Sequence, residues 1–283
     1  MIPPGPRRMA ALLALALGCA APRALAAEPE PSLFPAGEET AAALPAWVAG
    51  ISADGKTILT APVRWDASTW KRVAVGAGVV AALLLIDDEV RSALVSDRSS
   101  YDAAAIVGPL GQEYSWAVVA GFYGAGRAFG NDRATTVAHD GLLASLIAAG
   151  IITPAIQAVV GRARPDVDGT GLSFFDGGSS FPSGHTTQAF ALASVIATHY
   201  ESLWIDILAY ALAAGVGWSR LENDAHFLSD VAAGALIGVS VGRAVVRVRE
   251  EHRVSFEPFV TPGGVGINVR VRVGDVRDLW RER

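Results

Sequence analysis

Long apolar runs separated by short polar breaks fill residues 70–250, and runs of that length predict helices, not strands. The candidates are 71–86, 103–127, 134–160, 186–200, 203–218 and 227–247. Beyond Arg253 the period changes. Val254–Val260 alternates, Thr261-Pro262-Gly263-Gly264 turns, and Val265–Val273 alternates again, which is the pattern of a β-hairpin. The expected fold is all-α: a bundle of about six apolar helices with a small C-terminal β-hairpin appendage. The bundle takes residues 70–250, and the hairpin and tail take 251–283.

Ahead of the bundle lie two segments of different texture. Arg7 and Arg8 precede the apolar run Met9–Leu17, and Ala24-Leu25-Ala26 follows; charge, short apolar core and small residues in that order predict an export signal over 1–26. Residues 27–69 mix Pro, Gly and Glu with short β-prone pieces such as Lys56-Thr57-Ile58-Leu59, and read as an irregular lead-in. Cys19 is the single cysteine, so cleavage after Ala26 leaves a mature chain without thiols or disulfides.

Composition suits helices packed closely in a bilayer or in a dense bundle. The chain is 51% hydrophobic and 18% charged, against about 25% charged in soluble domains. Residues 141–161 form the one charge-free run of about 20 residues, the length of a span, while the other runs are in the range shared by buried helices. Trp70, Trp116, Trp204 and Trp218 sit near the ends of apolar runs, where interfacial anchors belong. A membrane-associated bundle is the expectation, with a soluble periplasmic globule as the alternative. The net charge of -5 offers no broad basic surface, so nucleic acid is not an expected partner.

Three polar segments interrupt this apolar texture with chemistry. In the third, His226 and Asp230 lie four apart at the start of a helical run, so they share a face. A carboxylate on one ring nitrogen leaves the other as a nucleophile. The second, Phe181-Pro182-Ser183-Gly184-His185-Thr186, opens a helix, and helix N-termini bind anions; Ser183 suits the N-cap and Gly184 a close backbone approach. In the first, Arg164 precedes Pro165, and with Arg220 it offers two guanidiniums for a phosphate. Taken singly, each also fits a plain structural part: a helix-terminal His/Asp pair, an ordinary cap, or arginines snorkelling at an interface.

In combination, Arg164-Pro165, Pro182-Ser183-Gly184-His185, and Ser219-Arg220 with His226 and Asp230 resemble the signature of the type 2 phosphatidic acid phosphatase superfamily. That group also includes bacterial acid phosphatases and vanadium haloperoxidases. The resemblance implies His226 as nucleophile, oriented by Asp230, and His185 as acid to the leaving oxygen and then activator of water. It further implies that Arg164, Arg220, Ser183 and the Gly184 amide hold the phosphate oxygens. Gln157 stands where the signature has lysine, a contact without charge, and Arg162 is the expected compensating cation. No metal or cofactor is implied, so turnover should survive chelators. The implied substrate is a phosphomonoester or pyrophosphate, of a lipid such as phosphatidic acid, a polyprenyl pyrophosphate or lipid A, met on the periplasmic side. A broad-range soluble acid phosphatase and a non-catalytic phospholipid-binding relative are the alternatives. His139, His199 and His252 are expected to be caps or solvated residues.

Overall fold

The computed structural model describes residues 54–96, 101–112, 114–168, 170–251, 254–261 and 264–271. The export-signal reading of 1–26, most of the lead-in and His252 lie outside these residues. Nine helices longer than one turn are described after the lead-in: α1 (Ala67–Leu84), α2 (Asp87–Ser96), α3 (Tyr101–Val107), α4 (Ser115–Phe129), α5 (Asp132–Ile147), α6 (Thr153–Val160), α7 (Gly184–Tyr200), α8 (Leu203–Glu222) and α9 (Leu228–Glu251). Strands β1 (Val254–Thr261) and β2 (Gly264–Val271) pair antiparallel, with Val254 opposite Val271 and Thr261 opposite Gly264.

Local chemistry sets the helix ends. The Asp66 carboxylate accepts the Thr69 N–H at 2.8 Å and starts α1, and the Asn131 side chain accepts the Ala134 N–H at 3.1 Å to start α5; both are side-chain N-caps. Between them, α4 stops at Gly130, which is left-handed at φ 64°, as C-terminal glycines commonly are.

One expected helix divides, one runs on through a π-turn, and two short helices appear where none was expected. The helix expected over 103–127 is two helices separated by a 3₁₀ turn, Gly108–Gly111, because Pro109 lacks the N–H that an unbroken helix needs there. The helix expected over 134–160 is α5 and α6 joined by a π-turn, Ala148–Ile152, with Pro154 placed in the first turn of α6. Residues 54–59 are helical despite their β-prone composition, because Ile58 buries itself in the main core and packing overrides weak propensity. α2 was not expected at all; its opening Asp87-Asp88-Glu89 reads as a polar break.

α7 is the central helix, packed against α9, α8 and α5. Val137, Leu143, Ala144 and Ile147 of α5, Ala191 and Val195 of α7, and Val241, Val245 and Val246 of α9 form the core. The α7–α9 contact is a backbone-to-backbone approach. A Cβ on Gly234 would lie 2.7 Å from Ser183 O, on Gly238 2.5 Å from Thr187 O, and on Gly242 2.6 Å from Ala191 O. Small residues four apart let two helices touch this way. Gly238→Ala is therefore expected to force α9 off α7 and cost about 3 kcal/mol. Thermal unfolding of the purified variant in detergent checks this.

Three stretches, Ala67–Leu84, Asp132–Val167 and Leu228–Glu250, are long and apolar enough to cross a membrane. One was expected; α1 and α9 qualify because their charged residues gather at their ends and leave the middles apolar. The outward faces of α1 and α8 carry exposed Trp70, Val75, Val79, Leu203, Trp204 and Leu208, surfaces suited to acyl chains. Trp218 differs from the other tryptophans: its Nε1 donates to Glu222 Oε1 at 3.0 Å within α8.

Candidate active site

The first motif segment leaves α6 at Gly161, left-handed at φ 56°. Residues 171–180 then fold back along it. Ala163 N donates to Ser173 O at 2.9 Å, Phe175 N to Val160 O at 2.9 Å, and Ser180 N to Arg162 O at 3.0 Å. Gly178 permits this approach, since a Cβ there would collide with the Arg162 carbonyl. Gln157 braces the far end of the loop: its Nε2 donates to Ser179 O and Pro182 O, both at 3.0 Å. The expectation that Gln157 contacts a phosphate is corrected accordingly, because both amide hydrogens are engaged by backbone carbonyls.

The second segment enters α7. Ser183 is its N-cap, with extended backbone but no side-chain capping bond. Its hydroxyl instead accepts from Thr186 Oγ1 at 3.0 Å, and its N–H donates to Asp230 O at 3.1 Å. Gly184 and His185 are the first two residues of the helix, so both sit at the positive end of its dipole. His185 is half-buried there.

The third segment enters α9. Phe227 precedes the helix, and its N–H donates to Asp230 Oδ2 at 2.9 Å, one half of a capping box. His226 Nδ1 lies 2.8 Å from Ser180 O. A carbonyl only accepts, so in the neutral ring Nδ1 carries the proton and Nε2 keeps its lone pair. Asp230 Oδ2 is 3.7 Å from Nδ1, beyond hydrogen-bond range. The expected Asp230–His226 bond is thus replaced by a bond to a backbone carbonyl. Asp230 acts one step removed, accepting from Ser180 Oγ at 2.6 Å.

Arg162 is also corrected. Its side chain is fully buried. Nη1 donates to Ser229 Oγ at 2.7 Å and to Asp230 Oδ1 at 2.5 Å; Nη2 donates to Asp87 Oδ2 at 2.7 Å and to Gly171 O. The Phe227 ring lies 4.2 Å from its Cζ. Two carboxylates claim this cation, so it does not compensate for the missing lysine charge. The sequence reading missed Asp87, Ser180 and Ser229; only the place of Ser180, just ahead of the Pro182 motif, hinted at a role.

The remaining cations lie nearer solvent. Arg164 is exposed and lines an open cleft with Val167, Asp176 and Ser179. His226 lines a different, small hollow with Asp87, Arg91, Leu221 and Phe227. Arg91 pairs with Asp224 at 2.7 Å, and the hydrogen bonds it donates to that carboxylate raise its pKa. Arg220, at the end of α8, is crossed by the 3₁₀ turn: a Cβ on Gly108 would collide with its Nη2, and one on Gly111 would lie 2.9 Å from His185 O. One turn thus lies over both Arg220 and His185. Gly108→Ala should displace the flexible guanidinium without disturbing the backbone. The expected result is a roughly tenfold to hundredfold loss of kcat with unchanged thermal stability, checked by kinetics beside a melting curve. Farther along the same helices, His199 is neither free cap nor solvated: its Nε2 lies 2.8 Å from buried Asp140, which also takes Arg249 at 2.7 Å.

Residues 141–253, which carry all three segments, match the model of the PAP2 superfamily. This stretch belongs to the PAP2 superfamily. Lipid A 1-phosphatase of Porphyromonas gingivalis is 31% identical over 173 residues, covering 58% of this chain and 36% of that protein. Lipid phosphate phosphatase 2 of Arabidopsis thaliana is 35% identical over 135 residues, 36% of this chain and 47% of the relative. Probable diacylglycerol pyrophosphate phosphatase 1 of Schizosaccharomyces pombe is 29% identical over 161 residues, 44% of this chain and 58% of the relative. The chain thus spans between 36% and 58% of the length of these relatives.

Proposed function

We propose that this chain is a membrane-associated phosphatase that hydrolyses a phosphomonoester or pyrophosphate of a lipid through a phosphohistidine at His226. The observation that carries this reading is the 2.8 Å contact of His226 Nδ1 with Ser180 O, which leaves Nε2 as the nucleophilic nitrogen. The names of the PAP2 relatives, all lipid phosphatases, support the substrate class, and the exposed apolar faces of α1 and α8 support lipid delivery from a bilayer.

In the first step Nε2 attacks phosphorus, forming the N–P bond as the P–O bond to the leaving group breaks. His185 gives its proton to the departing oxygen. In the second step His185 takes a proton from water as that water attacks phosphorus, and the N–P bond returns its electron pair to Nε2 with release of phosphate. Arg164, Arg220, Ser183 and the Gly184 amide are assigned to the equatorial oxygens, where guanidiniums and a helix N-terminus stabilise developing charge. Gln157 holds the loop that carries Ser183. The export-signal pattern over 1–26 supports an active face on the periplasmic side.

The test is phosphate release by the purified full chain in detergent, from phosphatidate, diacylglycerol pyrophosphate, lipid A and p-nitrophenyl phosphate. Turnover of the lipids well above p-nitrophenyl phosphate is expected. Preference for the soluble ester would overturn the lipid assignment, and no release from any of them would overturn the enzyme.

A further inference from the structure

One face of α2 reaches the first and third motif segments and the loop that leads to the second. Asp88 Oδ1 accepts the Gly171 N–H at 2.8 Å, in the loop between the first and second motifs. Arg91 grips Asp224 through Nε and Nη2, both at 2.7 Å, in the loop leading to His226. Asp87 reaches deepest. Its Oδ1 accepts the Ser229 N–H at 2.9 Å, and its Oδ2 accepts from Ser229 Oγ at 2.5 Å and from Arg162 Nη2 at 2.7 Å. Asp87 is 1% exposed, and Arg162, Ser229 and Asp230 are 0% exposed.

A buried carboxylate is costly unless paired and hydrogen-bonded, so what Asp87 is paired with shows what its burial serves. Every partner named above belongs to the support of His226. From Arg162 two arms run to one residue. Its Nη1 holds Asp230 Oδ1 at 2.5 Å, and Asp230 Oδ2 takes the Ser180 hydroxyl at 2.6 Å. Its backbone carbonyl takes the Ser180 N–H at 3.0 Å. Ser180 O then lies 2.8 Å from His226 Nδ1. Both ends of Ser180 are therefore fixed by Arg162, and Arg162 is fixed on its other side by Asp87.

We infer that Asp87 is a positioning residue for His226: by anchoring Arg162 and Ser229 it holds the Ser180 carbonyl where it sets the ring's orientation and tautomer. This rests on the reading of His226 as nucleophile. Asp87 makes no contact with substrate in this role. Its removal leaves the phosphate-holding groups Arg164 and Arg220 in place, so binding survives while attack geometry degrades. Misplacement of a reacting group by about 1 Å costs about a hundredfold in rate.

The test compares wild type with Asp87→Asn, as full chains in detergent with phosphatidate micelles, together with ¹⁵N NMR of labelled histidine. The expected result is a kcat lower by about a hundredfold, KM within about twofold, and a His226 ring that changes from a single Nδ1–H tautomer to a mixture. Unchanged kcat with a single tautomer overturns the inference. So does a fall in kcat matched by a rise in KM with the tautomer intact. If Asp87→Asn does not fold, Ser229→Ala takes its place. It keeps every charge but removes the hydroxyl bridging Asp87 and Arg162, and it is expected to lower kcat about tenfold and mix the tautomers; a Ser229→Ala protein like wild type in both overturns the inference. The NMR readout needs no turnover. Should wild type release no phosphate, the functional reading fails while the tautomer still decides the role of Asp87.

Discussion

His226→Ala is expected to lower phosphate release by about 10⁴-fold or more, the scale on which removal of a nucleophile acts. The fold should survive, because the ring's one described hydrogen bond is to Ser180 O at 2.8 Å, and losing such a bond costs about 1 kcal/mol. A melting curve close to wild type beside a dead enzyme is the signature to look for. His185→Ala should behave differently. An acid is needed most for a poor leaving group, so the variant should lose far more activity on phosphatidate than on p-nitrophenyl phosphate. His226→Ala should lose both equally. Wild-type rates in His226→Ala would remove the ring from the chemistry, whatever its surroundings.

Arg162→Ala carries the second large effect, and it falls on stability as well as rate. The guanidinium lies between Asp87 at 2.7 Å and Asp230 at 2.5 Å, with all three side chains fully buried. Removing it leaves two carboxylates facing each other without a counter-charge, and breaking a buried pair from one side costs about 3–5 kcal/mol. The contact with the Phe227 ring at 4.2 Å goes too. The variant should unfold at markedly lower temperature and release no phosphate even below its midpoint. Arg162→Lys should rescue little, because a single ammonium does not reproduce the planar fork that holds Asp230 and Ser229 through one nitrogen and Asp87 through the other. If Arg162→Ala melts like wild type, the buried network is not what holds the third motif.

These two residues show how differently the chain discloses its parts. His226 stands out in the sequence because its neighbours are local. Asp230 is four residues away, in the first turn of the helix that His226 precedes. Ser183, Gly184 and His185 are legible for the same reason, as the opening of α7. Arg162 is visible but misread. Two arginines beside a proline look like two cations for a phosphate, and nothing local tells that one of them points inward. Asp87 is invisible as a site residue, since Asp87-Asp88-Glu89 after an apolar helix has the composition of a solvated break.

The apolar period, the helix-opening residues and the motif spacings are local quantities, and they alone determined that this protein is a helical bundle with two histidines and a carboxylate at helix starts. Partner choice is a long-range quantity. That Ser180 takes His226, that Asp87 takes Arg162 and Ser229, and that Gly108 lies over Arg220 depends on segments between 46 and 142 residues apart in two of those contacts. Only the packing of α2, α7, α8 and α9 and of the turns between the helices brought them within reach. Burial then decided the pairing: a guanidinium with no water around it must spend its hydrogen bonds on carboxylates, and so Arg162 joins Asp87 and Asp230 in the support of His226.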